Sequence, residues 1–143
     1  MQLVVFMLGA EEYALPIHQV QEIIRYREPR RVAGNGSIRG VINLRSRIIP
    51  VCDLAGHLAA ASSAAPEDAK IVIIDAGGVG AGLMVDGVNE VMSVEEDRIE
   101  RDATARNDIL TGIAKVDDRL IILIDPVGLL ADLGIAALAA AAA

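Results

Sequence analysis

Two halves of this chain carry the same pattern of short apolar runs and turns. Residues 9–22 and the segment 68 positions later pair Gly9 with Gly77, Leu15 with Leu83, Val20 with Val88 and Glu22 with Glu90. At an offset of 72, IRGVINLRSRIIPVCD (38–53) lies against LTGIAKVDDRLIILID (110–125). That alignment pairs Gly40 with Gly112, Arg47 with Arg119, Ile49 with Ile121 and Asp53 with Asp125. Two ordered blocks in register point to a tandem pseudo-repeat, with an insertion of four in the second half's middle loop.

The runs are β-branched and show little 3.6-residue periodicity, so they read as strands. Strands are expected near 2–8, 12–16, 20–27, 39–45, 47–52, 70–76, 79–86, 88–94, 110–116 and 119–125. Gly77-Gly78 and Asp117-Asp118 mark hairpin turns, and Arg45-Ser46 marks a tight hairpin without the usual glycine. Pro50 suggests an edge position or a bulge. Residues 55–69 lose β-branching and read as a linker. About five strands per half suit a small closed barrel, because closure removes exposed sheet edges. The expected architecture is therefore all-β, with two pseudo-repeated five-stranded barrels, short helical turns and a C-terminal helix near 126–133. The first barrel region covers about 1–58 and the second about 70–133, with strand exchange between them left open and an Ala-rich tail at 134–143.

Composition narrows the function. With 143 residues the chain can bury a real core. Its only aromatic residues, Phe6, Tyr13 and Tyr26, are too few for base-stacking platforms, and a net charge of −7 argues against a nucleic-acid partner. The charge is uneven: residues 1–65 sum to +2 and residues 66–143 to −9. Seven arginines fall within 25–47 against one acid, Glu28. A positive patch on an acidic protein suggests a protein partner. One cysteine excludes an intramolecular disulfide and fits a reducing compartment. The N-terminus lacks the basic segment of a secretory signal, and 126–143 is broken by Asp132 and two glycines, so no membrane insertion is expected.

No catalytic constellation emerges. KIVIIDAGGVGAG (70–82) lacks the G-x-G-x-x-G register and reads as a hairpin. Cys52 and His57, with Asp53 alongside, could be drawn as a nucleophile–base pair, but Cys52 at a strand end reads better as a buried small hydrophobe. Two histidines and one cysteine are scattered without ligand spacing, so no metal site is expected. Glu95-Glu96-Asp97 and Asp117-Asp118 read as solvated turn acids. No catalytic, cofactor-binding or metal-binding residues are assigned. The surface arginines remain, and arginine is enriched at protein interfaces.

With those residues in view, the sequence resembles the CheW-like chemotaxis coupling proteins over essentially its whole length. The matching stretches are LVVFMLGAEEYALPIHQVQEII (3–24), IRGVINLRSRIIPVCDL (38–54), GAGLMVDGVNEV (80–91) and LTGIAKVDDRLIILID (110–125). The resemblance implies a pair of SH3-like five-stranded barrels with an apolar groove between them. It implies a non-enzymatic, cofactor-free scaffold in the cytoplasm, clustered with receptor arrays at the inner face of the membrane. The partners implied are the chemoreceptor cytoplasmic helical hairpin and the regulatory domain of a CheA-type histidine kinase, with other CheW-like domains as further candidates. Carried over by motif, the receptor-binding residues are Val20, Glu22, Gly40 and Arg45. On a regular strand Val20 and Glu22 face the same side.

The chain also departs from the family pattern. It has NLRS for NLRG, so Ser46 needs a positive φ or another turn type, and Ile24-Arg25-Tyr26 for the usual R-G-Y. Residues 33–37 replace the usual N-T-P loop. These departures bear on partner choice rather than fold. The alternatives are a CheW-like regulatory module of a larger kinase or receiver-fused adaptor and, from a different class, a small hydrolase using Cys52 and His57.

Overall fold

The computed structural model describes residues 1–31, 36–60, 68–101 and 109–135. Most of the 33–37 loop, the middle of the 55–69 linker and nearly all of the Ala-rich tail lie outside the described residues. The ten expected strands form. They are β1 (Gln2–Leu8), β2 (Glu11–Pro16), β3 (Val20–Arg25), β4 (Ile38–Leu44), β5 (Arg47–Asp53), β6 (Lys70–Ala76), β7 (Val79–Val85), β8 (Gly87–Ser93), β10 (Leu110–Val116) and β11 (Arg119–Ile124). A two-residue strand, β9 (Ile99–Glu100), adds to the expected set; it is too short to leave a periodic signal. Helix α1 (Leu54–His57) forms directly after β5, and α2 (Pro126–Leu133) matches the expected C-terminal helix. Both helices start on an aspartate: Gly56 N donates to Asp53 and Val127 N to Asp125, each at 3.2 Å. Pro126 suits the first helical turn, and Gly134 ends α2 at φ 72°.

The strands make two sheets, ordered β8-β1-β2-β11-β10-β9 and β3-β6-β7-β5-β4. They correspond to the pair of SH3-like five-stranded barrels that the family resemblance implied, with the short β9 as a sixth strand in one. Strand exchange is complete. The β1–β2 hairpin joins β8, β10 and β11, while β6–β7 joins β3, β4 and β5. The two parallel contacts occupy one repeat position: Leu123 pairs with Ala14 between β11 and β2, and Val51 with Gly82 between β5 and β7. The pseudo-repeat is therefore a structural one, down to strand register.

Burial explains why the halves exchange hairpins. Leu3 and Val5 on β1 fill the core of the first sheet, while Phe6 and Leu8 enter the seam between the sheets. On β6, Ile71 and Ile73 fill the second sheet's core, while Val72, Ile74 and Ala76 face the seam. A strand covered on both faces reads as a continuous apolar run, which is what LVVFML and IVII are. Leu129, Leu130 and Leu133 of α2 close the seam. Each fully buried Leu or Ile contributes about 1.5–3 kcal/mol, so the seam opposes separation of the sheets. Phe6 and Tyr13 stack across β1 and β2 with centroids 6.1 Å apart. Burial, and then the Glu11 charge, raise the Tyr13 phenol above its ordinary pKa.

Pro50 corrects the edge-or-bulge expectation in part. Strand β5 is interior in the sheet order, yet its pairing to β7 begins only at Val51. Val41, opposite Pro50, exchanges both its backbone hydrogen bonds with Arg30, so Pro50 also turns its missing donor away from β4. The proline sits where the strand is locally an edge.

Candidate partner-binding face

The face begins at a β-bulge. Val20 pairs with Ile74 and Glu22 with Ile73, which leaves Gln21 as the extra residue in β3. One inserted residue flips the facing of everything beyond it. Val20 therefore packs against the seam beside Ile74, while Glu22 lies over the opposite face of β6. The expectation that Val20 and Glu22 share a side is corrected by this bulge. The first sheet repeats it at Asn89, between Val88 and Glu90.

Glu22 meets the β4–β5 hairpin. Arg45 and Ser46 form its turn with φ of 50° and 69°, so Ser46 does take the positive φ that the missing glycine demands. Ser46 N donates to Asn43 Oδ1 at 3.0 Å, which holds this left-handed turn. The geometry aims Arg45 back at Glu22: Arg45 Nη1 donates to Glu22 Oε1 at 3.3 Å, and Nη2 pairs with Oε2. Two parallel bonds of this kind fix orientation as well as charge. Gln21, Glu22, Leu44, Arg45 and Arg47 line a cleft of about 460 Å³ at this point.

Gly40 is not on that cleft. It is buried in β4 at φ 154°, and a Cβ there would lie 2.2 Å from Arg30 O. The close approach that glycine permits is made by the chain's own Arg30, which bonds Val41 in both directions at 2.8 and 2.9 Å. Of the four motif residues, the structure joins Glu22 and Arg45, places Val20 against the seam, and sets Gly40 under the backbone at Arg30. Gln21, Leu44 and Arg47 complete the cleft, and none of them is among the binding residues carried over from the family. The one sequence signal for them is the repeat, which pairs Arg47 with Arg119.

The twin position in the other sheet is closed. Arg119 donates to Glu12 from Nε at 3.1 Å and from Nη2 at 2.5 Å, and Nη2 also lies 2.7 Å from Glu90. Hydrogen bonding to Glu12, then to Glu90, holds this guanidinium above even its ordinary range.

The alternative chemistry finds no support. Cys52 is fully buried, and burial followed by the Asp53 charge pushes its thiol up to about 12, the opposite of a nucleophile's needs. His57 has other partners: Nδ1 lies 2.7 Å from Ser37 Oγ and Nε2 2.6 Å from Asp132. The carboxylate fixes Nε2 as donor, so in the neutral ring Nδ1 accepts from the Ser37 hydroxyl. This chain of bonds ties the start of β4 through α1 to α2. Gly77-Gly78 is the hairpin turn between β6 and β7, with φ of 62° and 82°. Among the described residues no group of histidine, cysteine or acidic side chains is spaced to hold a metal, and no helix is long and apolar enough to cross a membrane.

Comparison with known proteins bears on the same geometry. The family model described as CheW-like domain matches residues 2–134. The chemotaxis protein CheW of Klebsiella aerogenes is 34% identical over 129 residues, 87% of this chain and 78% of that protein. The CheW of Bacillus subtilis is likewise 34% identical, over 87% of this chain and 83% of its own length. The crystal structure of scaffolding protein TtCheW from Thermoanaerobacter tengcongensis superposes with a TM-score of 0.79 at 36% identity, covering 87% of this chain and 88% of that one.

Proposed function

The chain belongs to the CheW-like family, and from that premise we propose that it couples a chemoreceptor's cytoplasmic helical hairpin to the regulatory domain of a CheA-type histidine kinase. Members of this family are chemotaxis scaffolds rather than enzymes. The work of such a protein is binding alone, and reversible signalling contacts are of modest size. The observation that carries the reading is the Glu22–Arg45 pair, which braces the β3 bulge against the β4–β5 hairpin beside an open cleft.

In this reading Arg45 and Glu22 present paired charge to the receptor hairpin, and Val20 supplies apolar surface beside the seam. Gly40 serves the fold rather than the contact, by letting the Arg30 segment lie close against β4. The protein works in the cytoplasm, gathered with receptors at the inner face of the membrane.

Titration of purified receptor hairpin and kinase regulatory domain against the protein tests the proposal. The parent binds both, and Arg45→Ala weakens receptor binding by about tenfold or more. Because Arg45 is largely exposed, its replacement costs the fold under about 1 kcal/mol. A folded parent that binds neither partner at tens of micromolar refutes the coupling function.

A further inference from the structure

The repeat offers an internal comparison that isolates Arg47. Arg47 and Arg119 begin equivalent strands, β5 and β11. Arg119 is engaged by two carboxylates, Glu12 from the neighbouring strand and Glu90 from beyond the bulge. Both counterparts are altered around Arg47. Gly80 stands where the other sheet has Glu12, so the neighbouring strand offers bare backbone. Glu22, the counterpart of Glu90, is taken by Arg45, where the other hairpin carries Asp117.

Arg47 is thus an exposed guanidinium with no ion pair among the described residues. Its Nη1 reaches Gln21 Oε1 at a long 3.4 Å, and its Nη2 lies 2.8 Å from where a Cβ on Gly80 would sit. It opens onto the cleft that Leu44 also lines. Around this hairpin two arginines face Glu22, with Asp75, opposite Gly80, reached from Arg47 only through Gln21, whereas the twin has one arginine facing Glu12 and Glu90 with Asp117 in its turn.

We propose that the Arg47 cleft receives a carboxylate side chain from a protein partner, in the place that Glu12 fills against Arg119. The occupant is an aspartate or glutamate projecting from the partner's surface. Its carboxylate is gripped by the planar fork of Arg47, and its stem rests against Leu44. The proposal rests on the scaffold function above and adds the chemistry that one partner must bring. Gly80 is the residue that keeps the socket open.

The test closes the socket from within. Gly80→Glu supplies the missing internal acid. The nearest atom to the new Cβ is the movable end of Arg47, and Gly80 has no left-handed φ, so the fold tolerates the change. Binding of the purified receptor hairpin and kinase regulatory domain is measured for the parent, Gly80→Glu and Arg47→Glu, with melting temperatures alongside. Both variants should weaken binding to one partner by at least tenfold, with Gly80→Glu melting no lower than the parent. A parent that binds while both folded variants bind unchanged overturns the socket and leaves the scaffold function standing. A parent that binds neither partner overturns the scaffold function and the socket with it.

Discussion

Replacing Gly40 by alanine separates a folding role from a binding role at a position the family motif marks for the receptor. An added Cβ would lie 2.2 Å from Arg30 O and 2.7 Å from Arg30 C, both backbone atoms. Relief requires the Arg30 segment to move off β4, which forfeits the two Arg30–Val41 hydrogen bonds. Those are worth about 1 kcal/mol each, and a left-handed φ on a residue with a Cβ adds about 1–2 kcal/mol. The expected loss is about 3–4 kcal/mol, a large share of the ~5–15 kcal/mol that holds a domain together. In a chain of this size that lowers Tm by roughly 10 °C.

Two further glycines calibrate the number. At Gly112, the repeat counterpart, a Cβ would lie 2.9 Å from Glu100 O with no left-handed φ, so Gly112→Ala should cost about half as much. Gly36 has open space around it, and Gly36→Ala should change stability by under about 0.5 kcal/mol. Urea denaturation read by circular dichroism gives all three. Equal losses at Gly40 and Gly36 would refute the close-approach argument. Receptor affinity corrected for the folded fraction should be unchanged in Gly40→Ala.

Cys52 and Ser46 give two further outcomes. The native thiol sits near 12 against about 8.5 in the unfolded chain, so its contribution is complete below about pH 8.5 and is lost as pH rises toward 12. Between about pH 8.5 and about pH 10.5 the parent should lose about 2 kcal/mol more than Cys52→Ala in urea midpoints, and parallel curves would remove this group as the cause. Ser46→Gly relieves about 1–2 kcal/mol of left-handed strain and returns about 0.4–1 kcal/mol of unfolded-chain entropy. A net gain of about 0.5–1 kcal/mol is expected by calorimetry, and a lower Tm would contradict the turn geometry.

Parts of the site are legible in the sequence, and for physical reasons. The β3 strand and the β4–β5 hairpin follow from local pattern, because turn chemistry and β-branched runs are short-range signals, whereas Glu22 and Arg45 are singled out only by the family resemblance. The bulge at Gln21 is not legible, since an extra residue changes the facing of its neighbours without any compositional mark. Its trace lies in the repeat, where Gln21 and Asn89 each stand between a valine and a glutamate. Arg47 reads in sequence only as one of several arginines, because what distinguishes it is a missing partner on β7, and strand adjacency is long-range.

The uneven charge of the two halves ends with a different meaning from the one composition allowed. Sequence alone determined the ten main strands, the turns between them and the repeat, because each depends on residues close in the chain. Only the tertiary structure decided that the halves exchange hairpins, because alternation records that a face is buried but not what covers it. That exchange sets Glu12 of the first half against Arg119 of the second, and Gly80 of the second against Arg47 of the first. One arginine is thereby neutralised and the other left open, which no count of charges along the chain contains.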